Sequence, residues 1–174
     1  MGRRLRHLAG AASLTLVLLV VAGTALAKPA IPKTGPFYGT AEAPGALGAG
    51  SATFKVTKAA GGKLGVEVTI TPLALTCQVE GGALPITSSA VSTKLLKQDG
   101  KGAPLAIKNG KFSYKGAIYG GPSTTPGKAE ISGTFKSPTK VVGKAKFSWE
   151  SVTLVPGRSA PCDSGTMTLI ASHK

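Results

Sequence analysis

Two histidines, two cysteines and seven carboxylates are the side chains with which this 174-residue chain could assemble a general base, a metal centre or a strong nucleophile. They are poorly placed for it. His7 lies in the N-terminal segment, and His173 is the penultimate residue, where fraying is expected. A Ser-His-Asp or Cys-His system needs a positioned base, and neither histidine offers one. A zinc site needs three or four convergent ligands, and a calcium site a dense run of Asp and Asn. The chain has neither pattern, so no metal and no cofactor is expected. Hydrolysis or cleavage of a polysaccharide calls for paired carboxylates. The candidates are Glu42, Glu67, Glu80, Asp99, Glu130, Glu150 and Asp163. Glu150 adjoins Trp149, an arrangement resembling a sugar site, but no second acid converges on it. It reads as a surface acid beside a core tryptophan, and a polysaccharide-active hydrolase or lyase is a remote alternative. The Gly45–Gly50 stretch lacks the Lys-Ser/Thr pair and following helix of a phosphate loop. The expectation is a protein that is not an enzyme.

What the chain has in quantity is lysine. Three of its 21 basic residues and none of its seven acids precede Lys28, so the remainder carries 18 basic and 7 acidic groups, a net +11. Of those 18, only Arg158 is arginine. Arginine's planar fork suits bidentate phosphate recognition, whereas lysine is a hydrated point charge, so a nucleic-acid partner is disfavoured. Lys136, Lys140, Lys144 and Lys146 flank one expected hairpin and could form a basic patch. Its partners would be anionic cell-envelope polymers or a membrane surface. Solubility and protection of sheet edges explain each lysine taken singly. The alternative is a carbohydrate-binding module using exposed aromatics among Tyr38, Tyr114, Tyr119 and Trp149. Tyr119, before Gly120-Gly121, is the candidate most expected to be exposed.

The elements that would position these groups read as follows. Arg3, Arg4 and Arg6 precede an uncharged run from Leu8 to Ala27 that ends Ala25-Leu26-Ala27. A basic start, an apolar stretch and small residues before the cut make a secretory signal peptide over 1–27. The competing readings are an uncleaved anchor, since the run approaches the ~20 residues needed to span, and a twin-arginine signal. Lys28 stands where a lipoprotein would need cysteine. The product is expected outside the cell or on its envelope. Two cysteines in an oxidising compartment read as one disulfide, Cys77–Cys162; two free or redox-active thiols are the alternative, without a Cys-x-x-Cys to support it.

Beyond Ala27 no amphipathic helix is legible. Residues 28–36, with three prolines, are expected to form an extended arm, and 37–174 one domain. Leu64, Val66, Val68 and Ile70 alternate with Gly65, Glu67, Thr69 and Thr71, the pattern of a half-buried strand. Similar alternation covers Ala52–Thr57, Ala129–Lys136 and Val141–Glu150. Glu42–Gly50 and Gly120–Gly127 read as loops, and Ile86–Lys97, rich in Ser and Thr, as a strand, with a helical turn at Val91, Leu95 and Leu96 as the alternative. Asp99-Gly100 and Asn109-Gly110 are hairpin signals, because both central positions of a type I′ turn need positive φ. Eight to ten such strands predict an all-β fold, an antiparallel β-sandwich of jelly-roll type, with a closed barrel as the alternative.

The opening Gly35-Pro36-Phe37-Tyr38-Gly39, Phe54-x-Val56, Cys77 after a strand, Asn109-Gly110-Lys111-Phe112-Ser113, Ile131-Ser132-Gly133-Thr134-Phe135 and Cys162-Asp163-Ser164-Gly165 form a familiar set. Together they resemble small secreted β-sandwich proteins common in high-GC actinobacteria. The resemblance implies fold and extracellular compartment; it carries no settled activity and no functional residue.

Overall fold

The structure, a computed structural model, describes residues 28–43 and 49–174. The expected signal peptide, and positions 44–48 of the expected loop Glu42–Gly50, lie outside the described residues. Twelve strands are formed within them: β1 (Gly35–Glu42), β2 (Ala49–Lys58), β3 (Leu64–Thr71), β4 (Leu73–Val79), β5 (Gly82–Ser88), β6 (Val91–Ser92), β7 (Leu105–Ala106), β8 (Lys111–Ile118), β9 (Gly127–Ser137), β10 (Lys140–Val155), β11 (Arg158–Asp163) and β12 (Met167–His173). Every pairing is antiparallel.

The 16-residue β10 is the spine. Along one edge it pairs with β9. Its other edge is divided: Lys140–Ala145 pair with β12, and Ser148–Val155 with β11. The register shifts between Trp149 and Val152, where Glu150 and Ser151 are both exposed. Such a bulge bends a strand, here where β10 exchanges one neighbour for another. From β12 the ladder runs through β1 and β2 to β3, whose free edge takes β6 and β7; from β11 it runs through β4 to β5; β8 borders β9.

Alternation along these strands creates the core. Phe37, Phe54, Phe112 and Phe135 come from β1, β2, β8 and β9. Phe37 meets Phe135 at 5.5 Å between ring centroids, Phe135 meets Phe112 at 6.0 Å, and Phe112 meets Phe54 at 6.0 Å. These contacts join distant parts of one ladder, so the sheet folds over and packs its two halves face to face. Each buried phenylalanine contributes roughly 1.5–3 kcal/mol of apolar transfer. The expected all-β antiparallel sandwich is therefore formed, and with it the Cys77–Cys162 disulfide. The ladder does not close into a barrel: β8 and β3 are not paired with each other.

Local details depart from expectation for identifiable reasons. Asn109 (φ 50°) and Gly110 (φ 69°) form the expected tight turn between Lys108 and Lys111. Asp99-Gly100 also turns, with the Gly100 N–H donating to Lys97 O, but its flanks form no hairpin. Ile86–Lys97 is mostly not strand. After β6 a single 3-10 turn spans Thr93–Leu96, capped by the Ser92 hydroxyl, which accepts from the Lys94 N–H. It buries Thr93, whose Oγ1 accepts from the Val68 N–H at 3.1 Å. The local Ser92 hydrogen bond offers the backbone an alternative to a ladder, and the Thr93 hydroxyl takes up an N–H of β3 in place of a backbone carbonyl. His173 is not frayed. Its N–H donates to Thr139 O, its ring lies 3.1 Å from Thr34 O, and it meets Phe37 edge-on at 5.1 Å. Register with β1 carries it onto the inner face, which terminal position alone could not reveal. The arm at 28–34 is packed too: Pro32 is buried, and the Lys33 N–H donates to Pro138 O at 2.9 Å.

Candidate functional site

Side chains alternate across a strand, so the register fixes what shares the outer face of β8, β9, β10, β12 and β1. One row runs Lys111, Thr134, Val142, Ile170, Thr40; the next runs Ser113, Ser132, Lys144, Thr168, Glu42. Gly133 and Gly143 sit directly opposite each other with their missing side chains inward. The outward floor around them is short hydroxyls (Ser113, Ser132, Thr134 and Thr168). Long lysines stand around it. The result is an open groove of about 700 Å³ whose charged lining is Lys108, Lys111, Lys136 and Lys144, with no carboxylate. In these rows the acid is Glu42, two strands from Lys144; one row further along β9, Glu130 shares a neighbouring depression with Lys144 and Lys146.

The lysines on this face fall into two sets. Lys115 pairs with Glu130 (2.6 Å), Lys128 with Glu150 (3.0 Å) and Lys146 with Asp163 (3.2 Å). Lys108, Lys111, Lys136, Lys140 and Lys144 have no carboxylate partner among the described residues. Of the four lysines expected to form a patch, Lys136 and Lys144 line the groove. Lys140 lies one row above, opposite Ser172, and Lys146 is neutralised by Asp163. Lys108 and Lys111 also belong to the groove, outside the expected four. The Asn109-Gly110 turn and the pairing of Lys111 with Thr134 bring them there. The hydrogen bond and attraction from Lys115 hold the Glu130 carboxyl below its usual range, and Glu130 raises the Lys115 ammonium in turn.

The aromatic candidates separate as sharply. Tyr119 is half-buried, not exposed, because its N–H donates to Leu95 O and draws it against the 3-10 turn. Tyr114 is half-buried, its hydroxyl donating to Ala117 O at 2.6 Å; burial, then repulsion from Tyr119, raises its pKa. Trp149 is 1% exposed. It lies under the loop 120–127, where its Nε1–H donates to Gly120 O at 3.2 Å. Tyr38, by contrast, is 50% exposed on the outer face of β1, with the Lys174 ammonium 5.9 Å from its ring centroid.

Glu150 and Asp163 line a second depression together with Gln78, Ser148 and Thr76. No acid close to Glu150 in the chain is its companion; the β10–β11 pairing of Ser148 with Asp163 supplies one. Both carboxylates are held by lysines, and the Glu150 side chain is 85% exposed. A general acid relies on burial to keep its proton; Glu150 has little, and the Asp163 side chain is 42% exposed. Among the described residues no cluster of three or more His, Cys, Asp or Glu could hold a metal, and no helix is long and apolar enough to cross a membrane.

Fold and site together define a disulfide-closed antiparallel β-sandwich with a basic groove on one outer face. Comparison with protein-family models, curated proteins and solved structures returned no match.

Proposed function

We propose that this is a secreted, non-enzymatic binding protein that associates with anionic cell-envelope polymers through its lysine groove. The observation that supports this most is the sorting of charge. The chain has acids enough to pair Lys115, Lys128 and Lys146 on the same face, yet among the described residues Lys108, Lys111, Lys136 and Lys144 around the groove have none. Lysines serving only solubility need not be segregated in this way. Exposed ammonium groups near an anionic surface contribute about 1 kcal/mol each, so binding is additive, modest and salt-sensitive. The hydroxyl floor adds hydrogen-bond donors for polymer oxygens without adding charge.

The experiment is a pull-down of the purified protein on cell-wall polymers, anionic vesicles and neutral glycans at low and high salt. The expected result is retention on anionic polymer that vanishes near 1 M salt, where screening acts within about 3 Å. Failure to bind any anionic material at low ionic strength ends the reading. Retention on vesicles alone would replace polymer with membrane.

A further inference from the structure

We propose that the polymer in the groove is an anionic glycan, and that Tyr38 is the platform on which one of its sugar rings stacks. This rests on the polyanion reading of the groove and adds the chemical class of the ligand. Tyr38 lies in β1, hydrogen-bonded on both sides by β2 and β12, where an exposed aromatic ring has no edge to guard and no turn to form. Ile170, 40% exposed, shares the outer face one step diagonally away. Val142, opposite Ile170, lines the groove. Tyr38, Ile170 and Val142 thus form an apolar track leading from β1 into the basic groove.

The groups beside the track are hydroxyls and cations, with one acid, Glu42, opposite Thr168 at its β1 end. Ser172 faces Tyr38 across one ladder and Lys140 across the other. Thr40 faces Ile170, and Thr168 lies opposite Lys144. With strands about 4.8 Å apart, Tyr38 and Lys140 are about 10 Å apart. A sugar ring has an apolar C–H face, a hydroxyl rim and, in an acidic glycan, a carboxylate or phosphate substituent. This surface offers each a partner: the tyrosine ring, the Ser172 and Thr40 hydroxyls, and the Lys140 or Lys144 ammonium. The Lys174 ammonium lies 5.9 Å from the Tyr38 ring centroid, a cation–π contact that a stacking sugar has to displace. A polymer of bare phosphates has no use for the ring. A lipid surface would have to desolvate the hydroxyls around it.

The test titrates the protein with polygalacturonate and with inorganic polyphosphate at matched charge, and with phosphatidylglycerol vesicles. The variants are Tyr38→Phe, Tyr38→Ala and Tyr38→Leu, the last keeping bulk on the strand if alanine destabilises it. Tyr38→Ala and Tyr38→Leu should weaken polygalacturonate about tenfold and leave polyphosphate unchanged, while Tyr38→Phe binds both like the parent. Unchanged polygalacturonate binding in both ring-less variants overturns the proposal, as does an equal loss on both polymers. So does a loss confined to vesicles. Polyphosphate binding that depends on the groove lysines but not on Tyr38, with polygalacturonate behaving identically, leaves the groove reading standing and removes only the glycan. If neither polymer binds the parent protein, both readings fall.

Discussion

Cys77 and Cys162 face each other directly across β4 and β11, their Cα atoms 4.0 Å apart, and only one further pair, Thr76 with Asp163, joins those strands. The hairpin β4–β5 is therefore held in the sheet by this bond together with the buried Leu73 and Leu75 of β4. The bond also closes a sequence separation of 85 residues, worth about 4–5 kcal/mol in the chain-entropy model. Cys77→Ala/Cys162→Ala should lose several kcal/mol in a denaturant titration. Hydrogen exchange should show protection lost first in 73–88. Uniform loss of protection across all strands would contradict the local dependence.

Trp149 fits beneath the loop 120–127 because that loop supplies glycine where it crosses the indole. A Cβ on Gly127 would lie 2.6 Å from the Trp149 Nε1 and 2.6 Å from Ser148 O, and one on Gly121 2.9 Å from the indole Cζ2. The backbone oxygen cannot move aside cheaply. Gly127→Ala should destabilise by roughly 1–3 kcal/mol and shift the Trp149 emission to the red as water reaches the ring. An unchanged midpoint and spectrum would show that the loop adapts freely.

The Lys115–Glu130 pair sets a signed pH expectation. Glu130 has its folded-state pKa lowered, first by the hydrogen bond from Lys115 and then by its charge. Its contribution is present above the unfolded carboxylate value and lost as pH falls through the folded one. Lys115 is raised, so its contribution is full below the unfolded lysine value and lost as pH climbs through the folded one. Both groups are exposed, and solvent and salt screen such pairs heavily. Carboxyl-detected NMR titration should place Glu130 below the usual range, and Lys115→Gln should return it upward. No change in the variant would remove the pairing as the cause.

Much of this architecture was legible in the sequence for a simple reason. Where one face of a strand is buried, alternation is strict, and Leu64–Thr71 and Val141–Trp149 announce both strand and facing. Asn109-Gly110 was legible because its turn type demands those residues. Asp99-Gly100 misled, since a turn signal says nothing about whether its flanks find each other. The candidate site was half legible. Lys136 and Lys144 could be placed on one outer face from period alone. That Lys111 joins them and Lys146 is neutralised depends on cross-strand register, through Thr134 and Asp163, which no local pattern encodes. Tyr119 is less exposed than its glycine neighbours suggest because exposure is decided by what packs above a residue, here the 3-10 turn at Thr93–Leu96; the exposure of Tyr38 was not legible in the sequence at all.

The proposed polyanion binding comes from the unpaired lysines of the groove rather than from the net charge. The most direct test compares two variants of equal net charge: Lys111→Gln/Lys136→Gln/Lys144→Gln in the groove, and Lys115→Gln/Lys128→Gln/Lys146→Gln in the ion pairs. At about 1 kcal/mol per lysine, the groove variant should lose roughly hundredfold in affinity for an anionic wall polymer at low salt, and the ion-pair variant far less. Equal losses in the two would show that charge alone matters and would contradict the assignment of the groove.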